Sequence, residues 1–271
     1  ETSRDHYSYH RQRGSWTLNQ PLDPAIFNEN RAESSTVLME NTLTFNKDFG
    51  KHKLNVVAGQ SYQKDKYAQI WGTKRNLLEN PAGGYYNVLD QGNEPQTGGF
   101  KNRTDLISYF GRFEYNYADK YLINGVLRTD GVSRFGKNYK FGTFPSISAA
   151  WRITQEDFFN ASWIDDLKLR ANYGTLGSSN IGPYDYIPII NTFSTIAMGP
   201  GQAIFPGATQ VRLANLDLRW EQLTQQNYGF DASFLKNKLN VSAEYFISVT
   251  KDVLIQYPLL ISTGNDGGNP Y

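Results

Sequence analysis

The sequence contains no cysteine, only three histidines and no excess of charge of either sign. The absence of cysteine excludes a disulfide framework, a thiolate zinc site and a cysteine nucleophile. Lys and Arg total 27 against 26 Asp and Glu, and this formal net charge of +1 argues against a basic face for DNA or RNA. No apolar run reaches the roughly 18 residues of a transmembrane helix. A disulfide-rich domain, a nucleic-acid binder and a helical membrane protein are therefore not expected.

Aromatic residues, by contrast, are abundant. The chain has 18 Tyr, 16 Phe and 5 Trp, which make up 14% of its 271 residues, while the hydrophobic fraction is 39% and the mean hydropathy is −0.55. This combination is unusual for a soluble enzyme. It is compatible with a membrane-spanning β-barrel, because barrel strands alternate lipid-facing and lumen-facing residues and so average to a polar composition.

Strict alternation of apolar and polar residues is the strongest pattern in the sequence. In residues 167–174, Leu167, Leu169, Ala171 and Tyr173 share one face, and the other face carries Lys168, Arg170, Asn172 and Gly174. A period of two predicts β-strands. The same period predicts eight strands over roughly 36–46, 52–71, 104–117, 121–131, 142–153, 167–175, 219–235 and 238–251, with a possible ninth around 14–19.

The connections between these strands alternate in length. Tight turns are predicted at 47–51, 118–120 and 236–237, and a modest connector at 154–166 begins like a helix N-terminus with acidic residues in its first turn. Long loops rich in Gly, Pro, Asn and Tyr occupy 72–103, 132–141, 175–219 and the chain from 252 onward. Outer-membrane barrels have this asymmetry, with short periplasmic turns and long extracellular loops. We therefore expect the face of Leu167 to meet lipid and that of Lys168 to meet the lumen.

Aromatic residues also collect near the predicted strand ends. The set comprises Tyr62, Trp71, Tyr117, Tyr121, Trp151 and Tyr245. Tyr and Trp are enriched at the two membrane–water interfaces, where their amphipathic rings match the boundary. These residues are predicted to form aromatic girdles.

Several segments resemble the barrel of SusC/RagA-type TonB-dependent transporters. The similarity is carried, in order, by 108–112 (SYFGR), 121–122 (YL), 127–136 (LRTDGVSRFG), 142–152 (GTFPSISAAWR), 167–174 (LKLRANYG), 220–221 (WE) and 227–231 (NYGFD). It extends over roughly 36–257. The chain departs from the family pattern at Thr129, where Arg is expected, and at Val132, where Ser is more usual.

This resemblance implies an all-β fold: an antiparallel up-and-down transmembrane β-barrel segment. Because such barrels have about 22 strands around a plug, residues 1–271 would supply eight or nine strands, without the plug domain and the remaining strands. The implied function is import of glycans, peptides or similar oligomeric nutrients across a bacterial outer membrane of the Bacteroidetes type. The implied partners are outer-membrane lipid, a SusD-like surface lipoprotein that acts as a lid, and the TonB complex, engaged through the missing N-terminal region.

No motif predicts catalysis, a cofactor or a metal site. Residues 131–137 (GVSRFGK) fall one residue short of a phosphate-binding loop, with Asn138 where Ser or Thr would hold magnesium. His6 and His10 are four apart, but they lack a third ligand and the helix that would bring them together. The acidic pairs at 156–157 and 165–166 are expected to cap the short connector and face solvent, since adjacent carboxylates point apart.

Two groups of residues are predicted to serve binding or structure. The loop aromatics are candidates for contact with a glycan or peptide, because ring faces near Asn and Asp suit sugars and side chains: Trp71, Tyr85, Tyr86, Tyr184, Tyr186 and Phe193. The second group, Arg128, Asp130 and Arg134, is expected to form a structural charge cluster on the polar side of the wall. Its members should pair with each other or with the plug.

Two alternatives remain open at the level of sequence. A complete small outer-membrane barrel, either a passive pore or an enzyme, predicts that the first and last strands pair with each other. A soluble carbohydrate-binding β domain predicts that the apolar faces are buried against protein.

Overall fold

The computed structural model of the chain describes residues 2–11 by their backbone, and residues 25–192, 195–258 and 260. The regular secondary structure of the described part consists of β-strands and one three-residue 3-10 turn, Ile153–Gln155. The strands are β1 (Thr2–Arg11), β2 (Ile26–Phe49), β3 (His52–Arg75), β4 (Asn93–Tyr117), β5 (Tyr121–Val132), β6 (Phe141–Arg152), β7 (Ile164–Ser178), β8 (Ile189–Asn191), β9 (Thr195–Met198), β10 (Ala203–Pro206), β11 (Thr209–Arg212), β12 (Glu221–Phe234) and β13 (Leu239–Lys251).

Nine of these strands form one sheet in the order β1-β2-β3-β4-β5-β6-β7-β12-β13. The pairs β4–β5, β5–β6, β6–β7, β7–β12 and β12–β13 are antiparallel. Each of the nine has at least 10 residues, and β4 has 25, whereas strands of soluble proteins average about five or six. A tilted strand of about 9 to 11 residues crosses a bilayer, so these strands have the length of membrane-spanning strands.

Two strands begin earlier than the hydrophobic pattern predicts. β2 starts at Ile26 and β4 at Asn93, against predicted starts near 36 and 104. The early part of β2 pairs with β1 in an unbroken register from Thr2↔Ser35 to Arg11↔Ile26. Its sequence, from Asn28 to Ser35, is polar on both faces, so backbone pairing extends the strand where no apolar alternation marks it. The predicted strand around 14–19 lies outside the described residues.

The connector at 154–166 does not begin a helix, contrary to the prediction. It opens with the 3-10 turn Ile153–Gln155, which has no side-chain cap. Thr154 does not cap a helix: its hydroxyl donates to an Asp166 carboxylate oxygen at 2.8 Å and accepts from the backbone N–H of Leu167 at 3.3 Å. These bonds join the 3-10 turn to the start of β7, and the Thr154 hydroxyl is not used to cap an α-helix.

Internal contacts divide the chain into two compact units. The first comprises Glu1–Leu38 and Gln63–Asp105. Among its described residues, Ala25, Phe27 and Leu77 form a small buried cluster against which Tyr85 and Leu89 pack. The long loop between β3 and β4 is therefore folded onto its own unit by apolar contacts.

The second unit comprises Met39–Tyr62 and Leu106–Tyr271, and its sheet has two chemically different faces. One face is apolar and uncovered: Ile147 is 53% exposed and Tyr173 43%. The other face carries the alternating polar residues, among them Lys168, Arg170 and Asn172. Burial of the apolar face, the prediction for a soluble carbohydrate-binding domain, is therefore wrong for this unit.

Candidate functional site

A row of polar side chains crosses the sheet of the second unit in register. Glu114 lies opposite Asn124, which lies opposite Ser148, and the row continues through Asn172 to Asn227. The Asn227 side-chain N–H donates to Asn172 Oδ1 at 2.9 Å. Residues in register on neighbouring strands share a face, so the period of two gathers these groups into one band.

This band forms the floor of a concave cavity of about 770 Å³. Its polar lining includes Asn55, Glu114, Asn116, Asn124, Lys168 and Asn172. The side-chain oxygens of Asn55 and Asn124 are buried and have no hydrogen-bond partner among the described residues. An amide both donates and accepts, so the cavity offers neutral hydrogen-bonding groups beside its charged residues.

Charged residues on the same face are paired across strands. Lys168 Nζ lies 3.0 Å from a carboxylate oxygen of Asp231, and Arg170 Nη2 lies 2.9 Å from one of Glu244. Arg170 also approaches Asp231, with Nε 3.5 Å from the carboxylate. These ion pairs link β7, β12 and β13 and leave the face with little uncompensated charge.

The predicted charge cluster is split in the structure. Arg128 Nε donates to both carboxylate oxygens of Asp130 at 2.8 Å, and Arg128 Nη2 donates to the fully buried Ser108 hydroxyl at 2.9 Å. Arg134 instead donates from Nη1 to the backbone carbonyl of Ser179 at 3.1 Å. Arg128 and Asp130 thus form a pair within the wall, while Arg134 fastens one loop to another.

The predicted loop aromatics have different surroundings and lie in two units. Trp71 is half-buried, with its ring over Gly98, and Tyr85 packs on the small apolar cluster of the first unit. Tyr186 packs on a larger core in the second unit, whereas Tyr86 and Tyr184 are exposed. Phe193 lies outside the described residues. Sequence reasoning could not separate the packing aromatics from the accessible ones, because both types sit in polar loops.

A buried core closes the loop end of the polar face. Its members are Val132, Phe135, Phe144, Ile181, Leu218 and Trp220. Phe144 lies opposite Arg128 in register, so the core is on the same face as the polar band. The Trp220 indole N–H donates to the Lys140 carbonyl at 3.0 Å, and its ring lies 5.5 Å from that of Phe135. These contacts anchor residues 133–140, Ile181 and 218–220 over the polar face.

An apolar arm extends from this core. The arm comprises the chain between Asp185 and Arg212, which contains no charged residue. β9 and β10 pair as a hairpin within it, and Ile196, Met198 and Ile204 are 52%, 56% and 74% exposed. Asp185 and Arg212 form a 2.5 Å ion pair at its base. The described part of the arm is therefore held at its base by an ion pair and exposes apolar side chains on its hairpin.

A hydrogen-bonded carboxylate marks the opposite, short-turn end of the sheet. Glu156 accepts from the Tyr121 hydroxyl at 2.6 Å, from the Trp151 indole N–H at 3.0 Å and from Lys120 Nζ at 3.1 Å. These three donors, led by Tyr121, lower the pKa of Glu156 from 4.5 to about 2. The expectation that Glu156 faces solvent as a helix cap is therefore wrong. Only the fold brings its three donors together.

The described residues hold no group of three or more potential metal-ligating side chains. Nor does this part of the chain include a helix with the length and hydropathy needed to span a bilayer. The loop at 133–140 connects two strands, so residues 131–137 lack the strand-to-helix setting of a phosphate-binding loop.

Comparison with known proteins identifies the fold. A family model, TonB dependent receptor-like, beta-barrel, matches residues 2–271. The chain is 35% identical over 227 residues to TonB-dependent receptor P3 of Formosa agariphila, an alignment that covers 83% of this chain and 22% of that protein. It is 32% identical over 166 residues to TonB-dependent receptor SusC of Bacteroides thetaiotaomicron, covering 60% of this chain and 17% of SusC. The chain thus spans about a fifth of the length of these relatives.

A solved structure of the RagAB peptide transporter has the same fold. It superposes with a TM-score of 0.82 at 22% sequence identity, covering 99% of this chain and 29% of the transporter chain. The predicted fold class, an antiparallel segment of an outer-membrane β-barrel, and the resemblance to SusC/RagA-type proteins are both confirmed. The chain belongs to the TonB dependent receptor-like, beta-barrel family.

Proposed function

We propose that this chain forms part of the wall of a TonB-dependent outer-membrane transporter that imports glycans, peptides or similar oligomeric nutrients. The observation that carries the proposal is the family match over residues 2–271. The name of the RagAB peptide transporter supports the peptide class, and the glycan class is proposed from the resemblance to SusC-type transporters. The organisms of the curated relatives support a Bacteroidetes-type outer membrane.

The polar face suits passage of a large neutral or mixed-charge ligand. Its amides can exchange hydrogen bonds with sugar hydroxyls or peptide groups, and its charges are paired with each other. The chain contributes binding and passage; no catalytic, cofactor or metal role is proposed for it.

Among the loop aromatics, Tyr86 and Tyr184 are the residues we propose for ligand contact. They are 41% and 43% exposed, so a ligand can reach their rings. Tyr85 and Tyr186 contribute to packing of the loops instead. Replacement of each tyrosine by alanine in the full-length protein should weaken ligand binding for Tyr86 and Tyr184, whereas Tyr186→Ala should act first on loop order.

Uptake by the source cell tests the function. Deletion of the full-length gene should abolish growth on one oligomeric carbon or nitrogen source, and the wild-type gene should restore it. Complementation with Asn124→Leu/Asn172→Leu, which removes two amides of the band, should slow uptake severalfold. Ala243→Leu, on the apolar face, is the matched control and should leave uptake unchanged. Normal growth of the deletion strain on every glycan and peptide mixture tried would contradict the proposal.

We also propose that a SusD-like surface lipoprotein covers the loop end and docks on the apolar arm. The arm lacks charge, and it lies in the long connection between β7 and β12, where Ile196, Met198 and Ile204 are exposed. Ile196→Asp/Phe205→Asp in the full-length protein should release the purified lipoprotein in a pull-down. Phe158→Asp, an exposed residue in the short connector, should not. Equal retention by both variants would contradict this docking site.

The TonB complex is proposed to act on the full-length protein through a region outside this chain. Disruption of TonB in the source cell should stop uptake without reducing the amount of transporter in the outer membrane. Continued uptake without TonB would indicate a passive pore, the other membrane function consistent with a barrel wall.

A further inference from the structure

A notch interrupts the apolar face near the short-turn end of the sheet. Ala149 of β6 and Ala171 of β7 lie opposite each other in register. Ile123 flanks Ala149 on β5, and Tyr228 flanks Ala171 on β12. The larger residues Trp151 and Leu169 form the next row towards the short turns. Two methyl groups among large side chains leave an apolar depression of about 330 Å³.

The depression opens on the lipid side of the sheet. Its lining includes the apolar-face residues Tyr121, Ile123, Ala149, Trp151, Leu169 and Ala171. Leu122, Ala150 and Arg170 lie opposite one another in the register row between the two apolar rows, and their side chains belong to the other face. They therefore contribute the floor of the depression. The larger polar cavity occupies the opposite side of the same strands.

The two aromatic walls of the notch are held by one carboxylate. Tyr121 and Trp151 both donate to Glu156 Oε1, at 2.6 and 3.0 Å. This shared acceptor fixes the polar tips of both rings at the short-turn rim, where the interface between membrane and water lies. The notch is therefore preorganised, because neither ring can swing in to fill it without losing a hydrogen bond to an ionised group.

The rim beyond these rings carries one cation, Lys120, and two carboxylates, Glu156 and Asp157. Lys120 Nζ is 3.1 Å from Glu156 and 3.6 Å from Asp157. Glu156 is already occupied by three donors, whereas the Asp157 side chain is fully exposed. A dipolar headgroup could place its phosphate towards Lys120 and its ammonium towards Asp157.

We propose that the notch binds one acyl chain of a zwitterionic glycerophospholipid, whose phosphate faces Lys120 and whose ammonium faces Asp157. The occupant is a lipid because the depression is apolar and opens on the membrane-facing side of the wall. It is a zwitterionic lipid because the rim offers paired charges of opposite sign. This inference rests on the membrane-spanning fold and not on the transported nutrient.

Native mass spectrometry of the full-length protein, released from detergent with added dioleoyl-phosphatidylethanolamine, tests the site. Ala149→Leu/Ala171→Leu fills the notch, and Ala243→Leu adds the same side chain elsewhere on the apolar face, in register with Phe230. We expect the wild-type protein and Ala243→Leu to retain one lipid that the double variant loses. Retention of the same number of lipids by all three proteins would overturn the proposal.

The headgroup is tested by Asp157→Asn and by exchange of the lipid. The variant should bind dioleoyl-phosphatidylethanolamine about two- to fivefold more weakly, the range for an exposed ion pair. Wild-type protein should prefer this lipid to anionic dioleoyl-phosphatidylglycerol, whose headgroup lacks an ammonium for Asp157. Equal binding of both lipids would overturn the assigned headgroup chemistry.

Two controls keep folding and function separate from lipid binding. Each variant should retain the heat-modifiable migration of a folded barrel in gel electrophoresis. Nutrient uptake by the Ala149→Leu/Ala171→Leu cells shows whether the transport proposal stands independently of the lipid result. Loss of the retained lipid from a variant that no longer migrates as folded would count against the notch as its cause.

Discussion

The two ends of the sheet in the second unit are stabilised by opposite means. At the loop end, aromatic and aliphatic side chains such as Phe135 and Trp220 are buried under folded loops. At the short-turn end, polar groups around Glu156 and Asp119 are joined by hydrogen bonds and ion pairs. Long loops do not pair with the strands of the main sheet, so they need desolvated apolar contacts to hold one conformation against it. Short turns are already fixed by strand pairing, and polar contacts suffice there.

The largest loss of stability is expected at the loop end, when Trp220 is replaced. Trp220→Ala empties the centre of the loop core, where Trp220 is 6% exposed, and should destabilise the local fold by about 3 to 5 kcal/mol. Hydrogen exchange in the full-length protein should then accelerate roughly 100-fold or more over 133–140. Trp163→Ala is the matched control at the short-turn end, where Trp163 is 59% exposed and stacks on Phe234. Equal acceleration at both ends would contradict the distinction.

A smaller effect is expected at the base of the apolar arm. Asp185→Asn removes the charge that pairs with Arg212, and both side chains are largely buried, at 12% and 15% exposure. The loss should be about 1 to 3 kcal/mol, seen as faster exchange over 182–191 and 209–212. Asp217→Asn, at an exposed position in the same loop, should change exchange little. If hydrogen exchange over these residues is unchanged in Asp185→Asn, the buried core holds the loop without the ion pair.

The stability of the short-turn end should depend on pH, because ionised Glu156 accepts three hydrogen bonds there. The pKa of Glu156 is lowered to about 2 by its three donors, so its ionised form favours the folded state above pH 4.5. That contribution declines as the pH falls from 4.5 towards 2. Glu156→Gln should therefore lower the urea midpoint of the full-length protein at pH 7 and lower it less near pH 2. If the wild-type and Glu156→Gln proteins differ in urea midpoint by the same amount at both pH values, the loss of stability does not come from the charge of Glu156.

The smallest effect is expected at the β4–β5 turn. Lys53 donates to Asp119 at 3.0 and 3.1 Å, and this pairing together with an Asn116 hydrogen bond lowers the pKa of Asp119. Both partners of the ion pair are about half exposed, so water and salt screen it. Lys53→Ala should leave the urea midpoint within experimental error. A clear loss would mean that exposed pairs matter more at this end than the comparison allows.

The alternation of apolar and polar residues was sufficient to predict the wall of the sheet. Leu167 to Gly174 predicts two faces, and the structure places Leu169 and Tyr173 on the exposed apolar face and Arg170 and Asn172 at the polar cavity. The prediction failed where the period was absent. Residues 28–35 are polar on both faces, and only pairing with β1 makes them a strand. The hairpin of β9 and β10 was likewise not foreseen inside the long loop.

The candidate sites were predicted less completely than the wall. The Arg128–Asp130 pair follows from their spacing of two on one strand, but the Arg134 bond to Ser179 joins residues 45 apart. Glu156 was expected to face solvent because adjacent carboxylates point apart, and nothing in the sequence placed the Tyr121 hydroxyl beside it. The notch at Ala149 and Ala171 depends on the register of two strands, which a single sequence does not state.

The strand period, the two chemical faces and the contrast between short turns and long loops follow from the amino-acid sequence alone. These properties are local, because side-chain direction in a strand repeats every two residues and turns need particular residues. The folded chain is needed to tell which loop aromatics are buried, which carboxylate accepts from three donors and where small residues meet. Those properties depend on contacts between residues far apart in the chain, and strand register with loop packing sets them.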